Sequence, residues 1–321
     1  MFLVGDIGGT NARFAIARMT DDQGIVISDF EKFNAQQFDS FDETMNEFVD
    51  RIGMRPSLAV LAVAGPINNG EVKLTNRAWQ LRASDLVRSC RIDEVRLMND
   101  FTAMAFSVTS ISDDSYMDLK RGAAQENAPI LVAGPGTGFG SCLLVQTGGK
   151  RHALACEGGH SLFVPRKNLD RAVLDILLRS HEVVSVERIC GGRHLPELTT
   201  AIAEIHGVSA PDLTPQEIIE KGEAGDPLCR DICQIRADAI VTSLANMALI
   251  GGARGGIVVA GGVALHLSNF LADQETIAQF EQVWPQGDFL RHIPIRLLVN
   301  PMAPLVGAAA HYLQHETTAR T

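Results

Sequence analysis

Several features are scarce in this 321-residue chain, and each scarcity narrows its function. No uninterrupted apolar run approaches the ~18–20 residues that span a bilayer. The opening Met1-Phe2-Leu3-Val4 is too short for a secretion signal and lacks its basic flank, so a cytoplasmic protein is expected. Basic residues are outnumbered: 28 Lys and Arg face 38 Asp and Glu, for a net charge of −10. That balance weighs against nucleic acid or an anionic membrane as partner. An anionic small molecule stays open, because backbone N–H groups hold phosphate without any Lys or Arg. The six cysteines, at 90, 142, 156, 190, 229 and 233, include no C-x-x-C pair. In the cytoplasm they are expected as free thiols, with Cys229 and Cys233 packed one helical turn apart rather than forming half a metal site.

What is present is a globular composition. Hydrophobic residues make up 46% of the chain, enough to bury a core, and the length fits about two domains. Short apolar runs alternate with amphipathic stretches, which predicts an α/β protein. Residues 2–4 read as a strand that enters a turn at Gly8-Gly9 and returns as a strand over 13–17. Residues 130–133 enter Gly134-Pro-Gly-Thr-Gly-Phe-Gly140 and return over 141–145. A strand, a glycine turn and a strand thus occur twice, a weak internal repeat that predicts two related halves. Further strands are expected at 58–62, 95–98 and 257–260. A helix with a capping box is expected after Ser40, another after Thr214, a long one from Asp226-Pro227 to Gly251-Gly252, and a last one from about Pro304 to Tyr312. No low-complexity linker separates these elements.

Five places carry candidate chemistry. In Gly5-Asp-Ile-Gly-Gly-Thr-Asn-Ala-Arg13 two glycines open the backbone to a phosphate, Thr10 and Asn11 add donors, and Asp6 is placed to hold Mg2+ through water. A plain hairpin turn does not require that set of side chains. The second turn, around Gly136-Thr137-Gly138, fits neither G-x-G-x-x-G nor a P-loop and gains weight from its pairing with the first. Asn99-Asp100 follows a strand and opens a helix, where Asp100 is either the N-cap or a general base. Glu157-Gly-Gly-His160 offers an acceptor and an imidazole around a flexible turn, a combination suited to sugar hydroxyls. Gly261-Gly262 ends a strand and either borders an adenosine or connects to a helix. Glu187, taken alone, reads as a solvated helix residue.

The motifs and their order resemble the bacterial glucokinase family of the actin, hexokinase and sugar-kinase superfamily. The matching residues are 5–13, Leu74-Thr-Asn-Arg-Ala-Trp79, Asn99-Asp-Phe-Thr-Ala103 and Gly136-Thr-Gly138. They continue with Glu157-Gly-Gly-His160, Val186-Glu-Arg188, Ala260-Gly-Gly262 and Leu305-Val-Gly-Ala-Ala309. The resemblance implies two actin-like (ribonuclease H-like) ATPase domains facing each other across a cleft: residues 1–108 with 300–321, and 109–299. It implies ATP-dependent phosphorylation of the glucose 6-hydroxyl, with Asp100 as general base. Asn99, Asp100, Glu157, His160 and Glu187 would bind the sugar. Gly5, Asp6, Ile7, Gly8, Gly9 and Thr10, with Gly136, Thr137 and Gly138, would clamp ATP, and Gly261 and Gly262 would border its adenosine. Mg2+ is implied with the nucleotide, a homodimer is the implied assembly, and domain closure would exclude water.

The chain departs from the family pattern at Leu162, where an Asp is usual, and at Cys190-Gly-Gly-Arg-His194, where Ser-Gly-Pro-Gly is usual. Both lie near the implied sugar pocket, so a kinase for another hexose or a hexosamine stays open. The His and three Cys of related zinc-bearing kinases and repressors lack a counterpart, so no structural zinc is expected. A sugar-sensing repressor of this fold would need a basic DNA-binding module, and only five residues precede Asp6.

Overall fold

A computed structural model of the chain describes residues 1–321 except 9–10, 21–23, 66, 69, 74–78, 284 and 320–321, and describes no side chain at 73, 80 or 316–319. Gly9, Thr10 and most of the Leu74–Trp79 motif therefore lie outside the described residues. The chain divides into two compact units, Met1–Asp113 with Asn300–Thr321, and Asp114–Val299.

In the first unit, β1 (Phe2–Ile7), β2 (Asn11–Thr20), β3 (Gly24–Asn34) and β4 (Leu58–Val63) are followed by the ribbon β5 (Glu71–Lys73) and β6 (Gln80–Arg82), then β7 (Glu94–Asn99). The main sheet has the order β3-β2-β1-β4-β7. β1 pairs antiparallel with β2 and parallel with β4, which pairs parallel with β7. The predicted first hairpin is therefore present and longer than the apolar runs alone marked.

Alternate residues of these strands feed opposite faces, as the pleat requires. Leu3, Ile7, Phe14 and Leu61 pack with Phe41, Met45 and Phe48 of α1 (Phe41–Arg51). Phe2, Val4, Val60 and Ala62 pack with Leu305, Ala308 and Ala309 of the C-terminal helix (Ala303–Ala319). Covering both faces explains why the central strands read as continuous apolar runs. Ser40 caps α1 by accepting from the Glu43 N–H at 3.2 Å, but the Glu43 carboxylate accepts from Asp39 N–H at 3.0 Å instead of closing the predicted box on Ser40. After α2 (Ala83–Ser89), β7 runs directly into α3 (Asp100–Ser107). The C-terminal helix lies tight on α3: a Cβ built at Gly307 would stand 1.7 Å from the Ala103 carbonyl oxygen.

In the second unit, β8 (Tyr116–Lys120), β9 (Ile130–Pro135), β10 (Phe139–Thr147), β11 (Lys150–Cys156), β12 (Ile257–Val259) and β13 (Ile295–Leu298) form a sheet of order β11-β10-β9-β12-β13-β8. Here β9 pairs antiparallel with β10 and parallel with β12, which pairs parallel with β13. This repeats the antiparallel meander and parallel extension of the first unit. The internal repeat read from two glycine turns is thus a repeat of topology.

The helices include α4 (Asn168–Leu177), α5 (Val186–Cys190), α6 (Leu195–Ile205), α7 (Pro215–Glu223), α8 (Pro227–Gly251) and α9 (Gly262–His266). α8 is buried along much of its length, opens on an Asp226 cap and ends at Gly252 with φ +61°. Thr214 and Glu217 form the predicted capping box of α7. All six cysteines are free thiols, and Cys229 and Cys233 are buried on α8.

Candidate functional site

The two units each gather part of the expected chemistry. In the first, the carboxyl ends of β1, β4 and β7 lie side by side, with Ile7 opposite Val63 and Val63 opposite Asn99. Parallel strands put both Asp6 and the Asn99-Asp100 pair at that end, where strand-to-helix connections leave room for ligands. The Gly8 N–H donates to Asn11 O at 3.0 Å and closes the backbone of the turn. Asp6 and Arg13 are register partners across the hairpin, and Arg13 Nη1 donates to Asp6 Oδ2 at 3.1 Å. Sequence reasoning gave Arg13 no role; the signal was its place seven residues after Asp6 across a short turn. Burial raises the Asp6 carboxyl above its ordinary value even though Arg13 opposes that rise.

The reading of Asp100 as helix cap is corrected. Asn99 is the N-cap of α3, its Oδ1 accepting from Thr102 N–H at 3.1 Å. Asp100 is the first helical residue, and its Oδ1 accepts from Phe101 N–H at 2.8 Å and from Asn99 Nδ2 at 3.1 Å. With the cap filled by its neighbour, the Asp100 carboxylate is free of that duty and oriented by two donors. Burial first, and the charge of Asp6 second, push it up to about 7 against the pull of those donors. A carboxylate half-ionised near neutral pH is matched to accepting a proton from an alcohol.

In the second unit the turn between β9 and β10 closes by Gly136 N–H donating to Gly138 O at 2.9 Å. A Cβ at Gly138 would lie 2.4 Å from Glu187 Oε2, so this glycine admits the carboxylate. That oxygen accepts the Phe139 N–H at 2.9 Å, which places Glu187 directly against the turn rather than in solvent, correcting its reading as a solvated helix residue. Gly159 packs on the same residue, since a Cβ there would stand 2.3 Å from Phe139 O. Ser141, which sequence reasoning missed, donates to Cys156 O at 3.1 Å and accepts from Gly158 N–H at 3.0 Å, fixing the Glu157–His160 turn on β10. Glu157 and His160 stand 3.8 Å apart with exposed side chains. The backbone of Phe139 is thus the hub on which Glu187 and the Glu157–His160 turn converge. Gly261 has φ +107°, and a Cβ there would stand 2.3 Å from Pro135 O, so its glycine serves the approach of β12 to β9; Gly262 opens α9 with free space at its Cβ position.

The donor set sets limits on a metal. Among the described residues no group of three or more His, Cys, Asp and Glu side chains gathers as a metal site. Asp6 offers one carboxylate with one oxygen on Arg13. That fits an outer-sphere contact to a hydrated Mg2+ carried mainly by phosphates, the usual form of such sites.

Known proteins share this architecture. A family model described as Glucokinase matches residues 3–315. A glucokinase of Caulobacter vibrioides is 34% identical over 313 residues, covering 96% of this chain and 93% of that protein. Among solved structures, a glucokinase from an Antarctic psychrotroph aligns with TM-score 0.83 and 31% identity over 98% of both chains. A Balamuthia mandrillaris glucokinase in complex with glucose aligns with TM-score 0.80 over 97% of this chain and 92% of its own, and at 21% identity it speaks to fold alone. The doubled sheet is the actin-like ATPase fold of such sugar kinases, and the chain belongs to the glucokinase family.

Proposed function

We propose that the protein phosphorylates the 6-hydroxyl of glucose from Mg-ATP. The observation that carries this reading is the Asp100 carboxylate, raised to about 7 and aimed by Asn99 and Phe101 N–H at the carboxyl end of β7. In this role Asp100 takes the hydroxyl proton as the oxygen attacks the γ-phosphorus. Asn99, Glu157, His160 and Glu187 bind the remaining hydroxyls, supplying both donors and acceptors. The β1–β2 turn, including Gly5, Asp6, Ile7 and Gly8, and the turn at Gly136, Thr137 and Gly138 clamp the phosphates, the Gly8 and Gly136 N–H groups holding the two turns in shape; Gly262 presents an open surface for the adenosine. Mg2+, held through water by Asp6, supplies neutralising charge on the phosphates when bound. Phosphoryl transfer passes through a loose transition state, so alignment by these residues supplies most of the rate. The proposed setting is the cytoplasm and the proposed assembly a homodimer, which light scattering tests.

The test is ADP formation with Mg-ATP and glucose, mannose, fructose, glucosamine, N-acetylglucosamine or N-acetylmannosamine, against a control without sugar. Strong selective turnover with glucose supports the full reading. Preference for another member keeps the kinase and moves the specificity to Leu162 and residues 190–194. Hydrolysis unaffected by any sugar removes the sugar site.

A further inference from the structure

The segment 190–194, where the chain departs from the family pattern, lies against both the second glycine turn and Glu187. Its backbone is pinned there: Gly192 N–H donates to Gly136 O at 2.9 Å and Arg193 N–H donates to Thr137 O at 3.0 Å. The segment ends in an imidazole, at a place where the Ser-Gly-Pro-Gly pattern has none. His194 Nε2 stands 4.0 Å from Glu187 Oε1, with both side chains largely buried. That distance is too long for a direct hydrogen bond. It is the separation of two groups that share one oxygen, each at about 2.8 Å from it with an angle of about 90° between them.

The other contacts of both side chains are consistent with a shared ligand. Glu187 has already committed Oε2 to Phe139 N–H at 2.9 Å, which leaves Oε1 facing the imidazole. On the far side, His194 Nδ1 lies 3.9 Å from Glu197 Oε2. That carboxylate already accepts Arg188 Nη1 at 2.8 Å and meets His181 through Oε1. Arg188 is on α5 and Glu197 on α6, so their bond holds the two helices that flank His194. Burial, with Arg188 next in weight, lowers the His194 pKa and outweighs the opposing pull of Glu187 and Glu197. The ring is therefore neutral at neutral pH and carries one N–H.

We infer that His194 is a specificity-determining residue of the sugar site, its Nε2 donating to a hexose hydroxyl that in turn donates to Glu187 Oε1. The inference rests on the proposed sugar kinase reading and adds a recognition contact to it. Such a contact discriminates well, because removing either the hydroxyl or the imidazole leaves a largely buried partner unsatisfied.

The experiment uses the full chain with His194→Leu, His194→Asn and His194→Gln. Steady-state ADP formation is measured with glucose, 1-deoxyglucose and 2-deoxyglucose, and melting is followed by circular dichroism. Leu lacks a donor and Asn is too short to reach, so either variant that folds suffices as the loss variant. The expected result is a glucose KM raised about tenfold, with kcat and the ATP KM within about twofold. His194→Gln, which reaches and donates, recovers most of the loss. One deoxy sugar, handicapped in the parent protein, shows no added handicap in the loss variant and so identifies the hydroxyl. An unchanged glucose KM overturns the inference. A rise in the ATP KM together with the glucose KM also overturns it, because His194 would then serve the turn at 136–138. A parent protein that phosphorylates no hexose removes the underlying reading too, whereas an active parent matched by all three variants removes this inference alone.

Discussion

If Asp100 is the general base, its ionisation should govern the rate across neutral pH. Its carboxyl titrates at about 7, so about half of the molecules hold the base form at pH 7, about a tenth at pH 6 and about a hundredth at pH 5. The kcat/KM for glucose at low nucleotide should therefore fall about tenfold from pH 8 to pH 6 and about ninetyfold from pH 8 to pH 5, with unit slope. A carboxylate near its ordinary value of about 3.9 would leave the rate flat over the same range. Asp6 is the charge that raises Asp100, so Asp6→Asn should move the midpoint to lower pH. Rates by a coupled ADP assay in constant-ionic-strength buffers, with coupling enzymes in excess at each pH, give the profile. A flat profile between pH 6 and pH 8 in the parent protein would refute the reasoning.

Stability supplies an independent reading of the same group. A raised carboxyl pKa means that the folded chain binds the proton more tightly than the unfolded chain between pH 3.8 and about 7. Its contribution to stability therefore falls as pH rises through that window, and the ionised group is a burden on the fold above it. Asp100→Asn removes the burden and should melt no lower than the parent at pH 8, while its kcat drops by about a thousandfold or more. A structural residue would lose both together. Near-normal turnover in this variant would remove the general-base assignment.

Gly138→Val pushes a side chain into the second glycine turn, its Cβ 2.4 Å from Glu187 Oε2. Calorimetric titration should then show glucose and nucleotide affinity lost together, and intact glucose binding would separate Glu187 from the turn. Gly307→Ala drives a methyl to within 1.7 Å of Ala103 O on the helix that carries Asp100. It should cost about 1–3 kcal/mol or more in urea unfolding and lower kcat as α3 shifts, and parent-like values of both would show that this helix pair has slack. Thr214→Ala removes an exposed cap bonded to Glu217 N–H at 3.3 Å and to its carboxylate at 2.7 Å. It should cost about 1 kcal/mol in urea unfolding and leave kcat unchanged, and a change in kcat would tie α7 to the reaction.

The parts of this protein that were legible in its sequence are those whose physical cause is local. A strand buried on both faces must be apolar throughout, so residues 2–4, 58–62 and 130–133 announced the cores of β1, β4 and β9. Caps and glycine stops operate within a few residues, so α7 and the end of α8 were marked by Thr214, Pro215 and Gly252. Asn99 and Asp100 show where local reasoning reaches its limit. Either side chain can cap a helix, and with Asn99 as the cap the Asp100 carboxylate takes the Phe101 N–H and Asn99 Nδ2 on Oδ1 alone, leaving Oδ2 for a substrate. The strand running through Asn99 settles it, by placing the turn into α3 one residue earlier than expected.

Contacts closed by the fold left weaker traces. Gly307 looked like one small residue in an apolar motif, and its need for a bare backbone is visible only against Ala103, about 200 residues away along the chain. Glu187 looked like a solvated helix position because its partner, Phe139 N–H, lies 48 residues earlier. His194 stands only seven residues from Glu187, yet marked itself only as a departure from a pattern, because the turn that brings the two side chains together is held by Gly136 and Thr137 far back in the chain. Such departures acquire meaning when the fold shows what they face. An imidazole held 4.0 Å from a carboxylate that has one oxygen already committed is positioned for a third group, and a sugar hydroxyl has the donor and acceptor that such a gap requires.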